Sequence, residues 1–190
     1  MKSLREKFED DYTAVSVPAE NRMGYKIKYV YDAPWYIWNL PEHELKRKKW
    51  LLTGVSVGSL ILFILTGMQS SILNSYVFVE IPGIFALSFH VLELFSMFQF
   101  LAAGYRTTRM TYNSVNRILS WVPMVRGGCL ITAAAAGIYY LLSAGGDMIA
   151  GPVIAGYLVC AFMALYVFGD YRRLSLRTEK NEMIRRYEYQ

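Results

Sequence analysis

Apolar and polar positions alternate along this chain in long blocks. Four apolar runs cover residues 50–68, 77–105, 127–143 and 149–168, and three of them hold no charged residue at all. Each reaches or exceeds the roughly 17–25 residues that a helix needs to cross a bilayer. The pattern predicts an all-α integral membrane protein, with four transmembrane helices arranged as two hairpins. Gly54 and Gly58 form a GxxxG pair in the first run, a spacing that lets helices pack closely.

The polar blocks carry their own signals. Residues 1–24 are mixed in charge, broken by Pro18 and Gly24, and read as a loosely structured tail. Tyr25, Ile27, Tyr29 and Tyr31 alternate with other residues and predict a short strand. Asp32-Ala33-Pro34 reads as a turn. Trp35, Tyr36 and Trp38 then form an aromatic cluster suited to a headgroup belt or to docking a partner. Asn39-Leu40-Pro41-Glu42 is a helix start with Asn39 as the capping residue, and Glu44 and Lys48 form an i, i+4 pair. That helix runs into the first apolar run. Between the second and third runs, Val115, Ile118, Leu119 and Val122 share one helical face, predicting an amphipathic interfacial helix over about 108–122 that ends near Pro123. Ala144-Gly145-Gly146-Asp147 is a tight turn, and residues 170–190 form a charged tail. Three regions follow: a juxtamembrane segment 1–49, a four-span bundle 50–169, and the tail.

Composition alone hides this division. The chain is 54% hydrophobic and 18% charged, with a mean hydropathy of +0.23, values that average two unlike populations. Residues 1–49 hold ten of the twenty Lys and Arg, while 50–104 and 127–171 hold none. Assigning segments to alternating sides puts all twenty on one side: ten in the N-terminal segment, four between 106 and 126, and six in the C-terminal tail. By the positive-inside rule, both termini and the middle segment are expected in the cytoplasm, with the bundle in a plasma (inner) membrane. The net charge of +5 is spread over segments that flank apolar runs, where lipid and topology explain it, so nucleic acid is not an expected partner. The first 30 residues have no apolar signal region, so insertion is expected to begin at an internal span.

The candidate chemistry is sparse. His90 and Glu93 lie at i, i+3 in the second run, near the middle of the predicted span, on a face shared with Gly83, Ala86, Met97 and Gly104. Ionisable groups inside a span are costly, and this pair is the candidate for a proton relay or solute site, or else a polar clasp between helices. The other three runs offer no carboxylate or histidine, so neither a metal centre nor a haem is expected, and no cofactor is assigned. Glu80 and Asp147 fall at the opposite ends from the basic segments and form a candidate outer vestibule. Cys129 and Cys160 follow no CxxC spacing and read as core residues. Sliding the chain by 70 residues aligns Gly58 with Gly128, Pro82 with Pro152 and His90 with Cys160, a weak repeat of the two hairpins. No nucleotide-binding, serine-hydrolase or zinc-protease motif is present. The expectation, ahead of a transporter and, third, a membrane enzyme, is a small accessory or interaction subunit of a membrane complex. Its partners would be the bilayer and another membrane protein or a second copy of the chain. The alternative is a small transporter or channel for a proton, cation or solute, working through His90 and Glu93.

Overall fold

The computed structural model describes residues 11–18, 24–144 and 148–180. It is mostly helical, with four helices long and apolar enough to cross a membrane. They are α1 (Glu42–Gly67), α2 (Val77–Ala102), α4 (Val122–Ala144) and α5 (Ala150–Arg172), with the shorter α3 (Arg109–Leu119) between α2 and α4. A single 3₁₀ turn, Ile72–Ser75, joins α1 to α2. The chain is not purely α-helical as expected. Strands β1 (Tyr12–Pro18) and β2 (Tyr25–Tyr31) pair antiparallel, so part of the expected tail is a strand. The central strand β3 (Trp35–Trp38) lies between β4 (Arg106–Thr107) and β5 (Leu176–Glu179).

Each long helix packs against two others: α1 on α2 and α5, and α4 on α2 and α5. The closed ring is antiparallel throughout. Ser56 meets Glu93, Gly127 meets Leu165 while Gly137 meets Ile154, and Lys48 meets Asp170 while Ser59 meets Cys160. Large apolar side chains cover the outside of the ring, among them Ile64, Phe85, Phe95, Ile138 and Phe162, all at least 42% exposed. Inside, two apolar clusters occupy opposite ends. One gathers Leu73, Val79, Ala86, Leu130, Ala133 and Tyr157. The other, at the sheet end, gathers Trp38, Leu45, Leu52, Met97, Phe100 and Leu119.

The expected GxxxG contact is not where the helices meet most closely. Gly54 faces open space and Gly58 touches only the end of Met163. The close approach is Gly156 of α5 against Thr66 of α1, where an added Cβ would collide with the threonine hydroxyl. The start of α1 also differs. Pro41 occupies the cap position with no side-chain hydrogen bond, and the Asn39 N–H donates to Ser175 O in the sheet connection. Lys48 pairs with Asp170 at 2.9 Å and not with Glu44, because α5 ends beside it.

Pro123 opens a helix where the sequence suggested it closed one. Thr108 caps α3, accepting from the Thr111 N–H, and α3 stops at Leu119. Ser120 and Trp121 turn the chain, and Pro123 then sits in the first turn of α4, where its missing N–H costs nothing. The third long helix therefore begins at Val122, five residues earlier than expected, and Arg126 belongs to it.

Candidate functional site: a buried charge pair between two helices

The second long helix places His90, Glu93 and Ser96 on its inner face by their i, i+3 spacing, with Gly83, Ala86 and Met97 also buried there. Gly104 lies beyond the helix end and is exposed. His90 and Glu93 therefore look into the ring, as expected. The first long helix answers with small hydroxyls: Thr53, Ser56 and Ser59 are all buried. Ser56 Oγ donates to Glu93 Oε1 at 2.7 Å, and His90 Nε2 lies 3.0 Å from Ser56 O. One turn of α1 thus engages both candidate residues.

The decisive partner comes from α4. Arg126 and Glu93 are each 0% exposed, and Nε lies 3.2 Å from Oε2. That is an ion contact, and the N–H is not aimed well enough to make it a hydrogen bond, so both atoms stay unpaired in that sense. Nη1 and Nη2 of Arg126 also have no hydrogen-bond partner among the described residues, and neither do Thr53 Oγ1 and Ser59 Oγ. Cys160 of α5 completes the layer, with its Sγ 3.5 Å from Ser59 O and within electrostatic reach of the guanidinium. The layer therefore draws on all four long helices.

The third long helix thus supplies Glu93 with a partner that the apolar runs, taken alone, do not contain. From the sequence, Arg126 falls in the polar segment before the third run, because its charge makes that run begin at Gly127. The signal that could have found it is Pro123, a favoured first-turn residue, with Val122, Met124 and Val125 continuing the apolar run back past Arg126. Ser56 and Ser59 were missed because serine in an apolar run carries no signal until a carboxylate is placed opposite.

His90 lies at the centre of α2 and Glu93 one turn beyond it toward the sheet end, and Gln99 Oε1, further along the helix, accepts from Ser114 of the amphipathic helix at 3.1 Å. Between layer and sheet, Lys49 is buried, donating to the Ala103 carbonyl at the end of α2 and lying 5.0 Å from the centre of the Phe100 ring. A cation there complements the negative end of the helix.

The aromatic cluster lies elsewhere and does not present itself as one docking surface. Trp38 is 2% exposed, packed edge-on to Phe100 with centroids 5.3 Å apart. Tyr36 stacks on Tyr112 at 5.0 Å, and the half-buried Trp35 lies 4.6 Å from the Tyr31 ring. The strand β3 turns Trp38 inward, where it closes the sheet end of the core. Tyr31 ties this layer to α3: its hydroxyl donates to Pro34 O and accepts from the Arg109 N–H. Burial pushes that hydroxyl's pKa up, against the pull of the Arg109 N–H, and keeps it neutral. Glu80 is exposed in the first turn of α2, suited to the positive helix end there. Asp147, the other residue of the expected outer vestibule, lies outside the described residues. A surface groove of about 520 Å³ lies at the other end, between Trp35, Gln99, Arg106 and Ser114.

The weak repeat finds no support in the layer. His90 and Cys160, which it equates, both bond carbonyls of α1. A twofold axis along the bundle would direct them to different helices. No protein family, curated protein or solved structure matches the chain.

Proposed function

We propose that this is a small membrane transporter, inserted with both termini in the cytoplasm, whose working groups are the Glu93–Arg126 pair with Ser56 and His90 beside it. The observation that carries the reading is the incompleteness of the buried pair. A clasp that only joins helices would have its donors satisfied, since interhelical hydrogen bonds contribute only about 0.6–2 kcal/mol and a bare buried donor costs as much. Here a guanidinium with no exposed surface leaves both terminal nitrogens without hydrogen-bond partners among the described residues. Such a layer favours a second arrangement in which those groups are used, and alternation between two arrangements is what a carrier requires.

Insertion is supported by the apolar exterior, which is far larger than a water-soluble monomer tolerates. Orientation is supported by the charge distribution: every described Lys and Arg except Arg126 belongs to the sheet end of the molecule or to β1–β2. The test is reconstitution into liposomes with an imposed pH gradient and an internal pH dye. The wild-type chain should dissipate the gradient, and Glu93→Gln and Arg126→Gln should each slow it at least about tenfold, the loss expected when a group essential to a proton-coupled step is removed. Flux no greater than that of protein-free liposomes sinks the proposal.

The accessory-subunit reading keeps one specific support. The sheet β4–β3–β5 joins the N-terminal segment, the middle segment and the C-terminal segment into one platform at the end that would face the cytoplasm. A second subunit isolated in fixed stoichiometry with an inactive bundle would favour that reading over transport.

A further inference from the structure

The polar layer has a surplus of donors, and that surplus identifies what it would take up. Among the described residues, the five guanidinium N–H bonds of Arg126 and the hydroxyl of Ser59 find no hydrogen-bond acceptor, while the one carboxylate in the layer already faces the guanidinium. A cation would find no second carboxylate here. A small anion would find a guanidinium edge and a hydroxyl group, in surroundings that strengthen charge-assisted hydrogen bonds.

Charge balance then couples the anion to a proton. Arg126 stays protonated, because a guanidinium does not deprotonate in proteins. Glu93 is its counter-ion. Protonating Glu93 removes that counter-charge and leaves a bare cation in a water-poor interior, which is strongly unfavourable. An anion arriving with the proton restores neutrality: carboxylate, proton and anion X⁻ give a carboxylic acid with X⁻ held on the guanidinium, and net charge is unchanged. The titratable groups around Glu93 are His90 on its own helix, Lys49 on α1, Arg126 on α4 and Cys160 on α5. The amphipathic helix α3 brings no charge inward, since Arg109 and Arg117 are exposed. None of these can replace the carboxylate as a counter-charge at neutral pH.

We infer that the layer binds one small monovalent anion together with one proton, the anion on Arg126 and the proton on Glu93, so that the two bind and leave as a neutral pair. The inference rests on the transport reading only for its purpose. Binding itself stands or falls alone. Ala86, Leu130 and Ala133 pack on one side of the layer, and Leu52, Met97 and Phe100 on the side nearer the sheet.

The test uses the full chain in detergent, with chloride and formate titrated against a gluconate background and binding followed by calorimetry between about pH 8 and about pH 5. Affinity for at least one of the two should rise about tenfold for each unit fall in pH while Glu93 is ionised, as one proton per anion requires. Glu93→Gln, an uncharged mimic of the protonated acid, should bind with no pH dependence, and Arg126→Gln should not bind. Ser59→Ala should weaken binding several-fold. Wild-type protein that binds neither ion, or binds with a pH-independent affinity, overturns the inference, and Glu93→Gln decides the matter if Arg126→Gln does not fold. The two proposals separate cleanly. Binding without flux in liposomes removes transport and leaves the anion site standing, while proton flux indifferent to chloride and formate removes the anion site and leaves transport.

Discussion

The side chain on which most depends is Arg126, and its energetics explain why it is informative. At 3.2 Å from Glu93, an effective dielectric constant near 20 gives about 5 kcal/mol of attraction. Desolvating the two ions costs several kcal/mol each, so the pair adds little net stability. Breaking it is a different matter, because one buried charge is then stranded. Arg126→Leu and Glu93→Leu should each lower stability by about 3–5 kcal/mol, while the double variant should return to within about 1–2 kcal/mol of wild type. Unfolding in detergent, followed by circular dichroism, measures all three. Additive losses in the double variant would show that the two residues do not act as a pair. Sequence made Glu93 legible as a carboxylate within an apolar run. It concealed Arg126, because a charge next to two glycines resembles a loop boundary.

Among the elements, the helices were legible and their contacts were not. Apolar runs of sufficient length dictated α1, α2, α4 and α5 to within a few residues at most ends. The strand β2 was readable from its alternation, but β1 lacks that pattern and takes its form from pairing with β2. The GxxxG pair at Gly54 and Gly58 pointed to the wrong contact, since small residues permit close packing without requiring it. Gly156 is where a hydrogen atom is needed, because the Thr66 side chain, held by its bond to Leu62 O at 2.8 Å, fills the space a Cβ would take. Gly156→Ala should cost about 1–3 kcal/mol by overpacking, and Thr66→Ala in the same chain should recover most of it. Thermal unfolding of the single and double variants tests this pairing.

For the molecule as a whole, the arrangement to be tested is sidedness. With Cys129 and Cys160 replaced, Ser70→Cys in the exposed link after α1 should react with a membrane-impermeant maleimide added to intact cells. Asn113→Cys on the exposed face of α3 should react only after the membrane is opened. The reverse pattern would invert the proposed orientation, and labelling of both from outside would break the four-span model of insertion. Orientation rests on charge distribution alone, and moving Arg126 into the bundle leaves it intact, because the remaining basic residues lie on the same segments as before.

Four long helices and their apolar exteriors were determined by the sequence by itself, since they depend on local composition and on a repeat of 3.6 residues. Partners of buried polar groups depend instead on which helices become neighbours and at what height, and no local pattern encodes either. Only the tertiary structure therefore decided that Ser56, Glu93 and Arg126 meet, and that Trp38 closes a core. It alone showed that three segments distant in sequence share one sheet. The pair singled out at the start, His90 and Glu93, acquired its chemistry from a third residue more than thirty positions away.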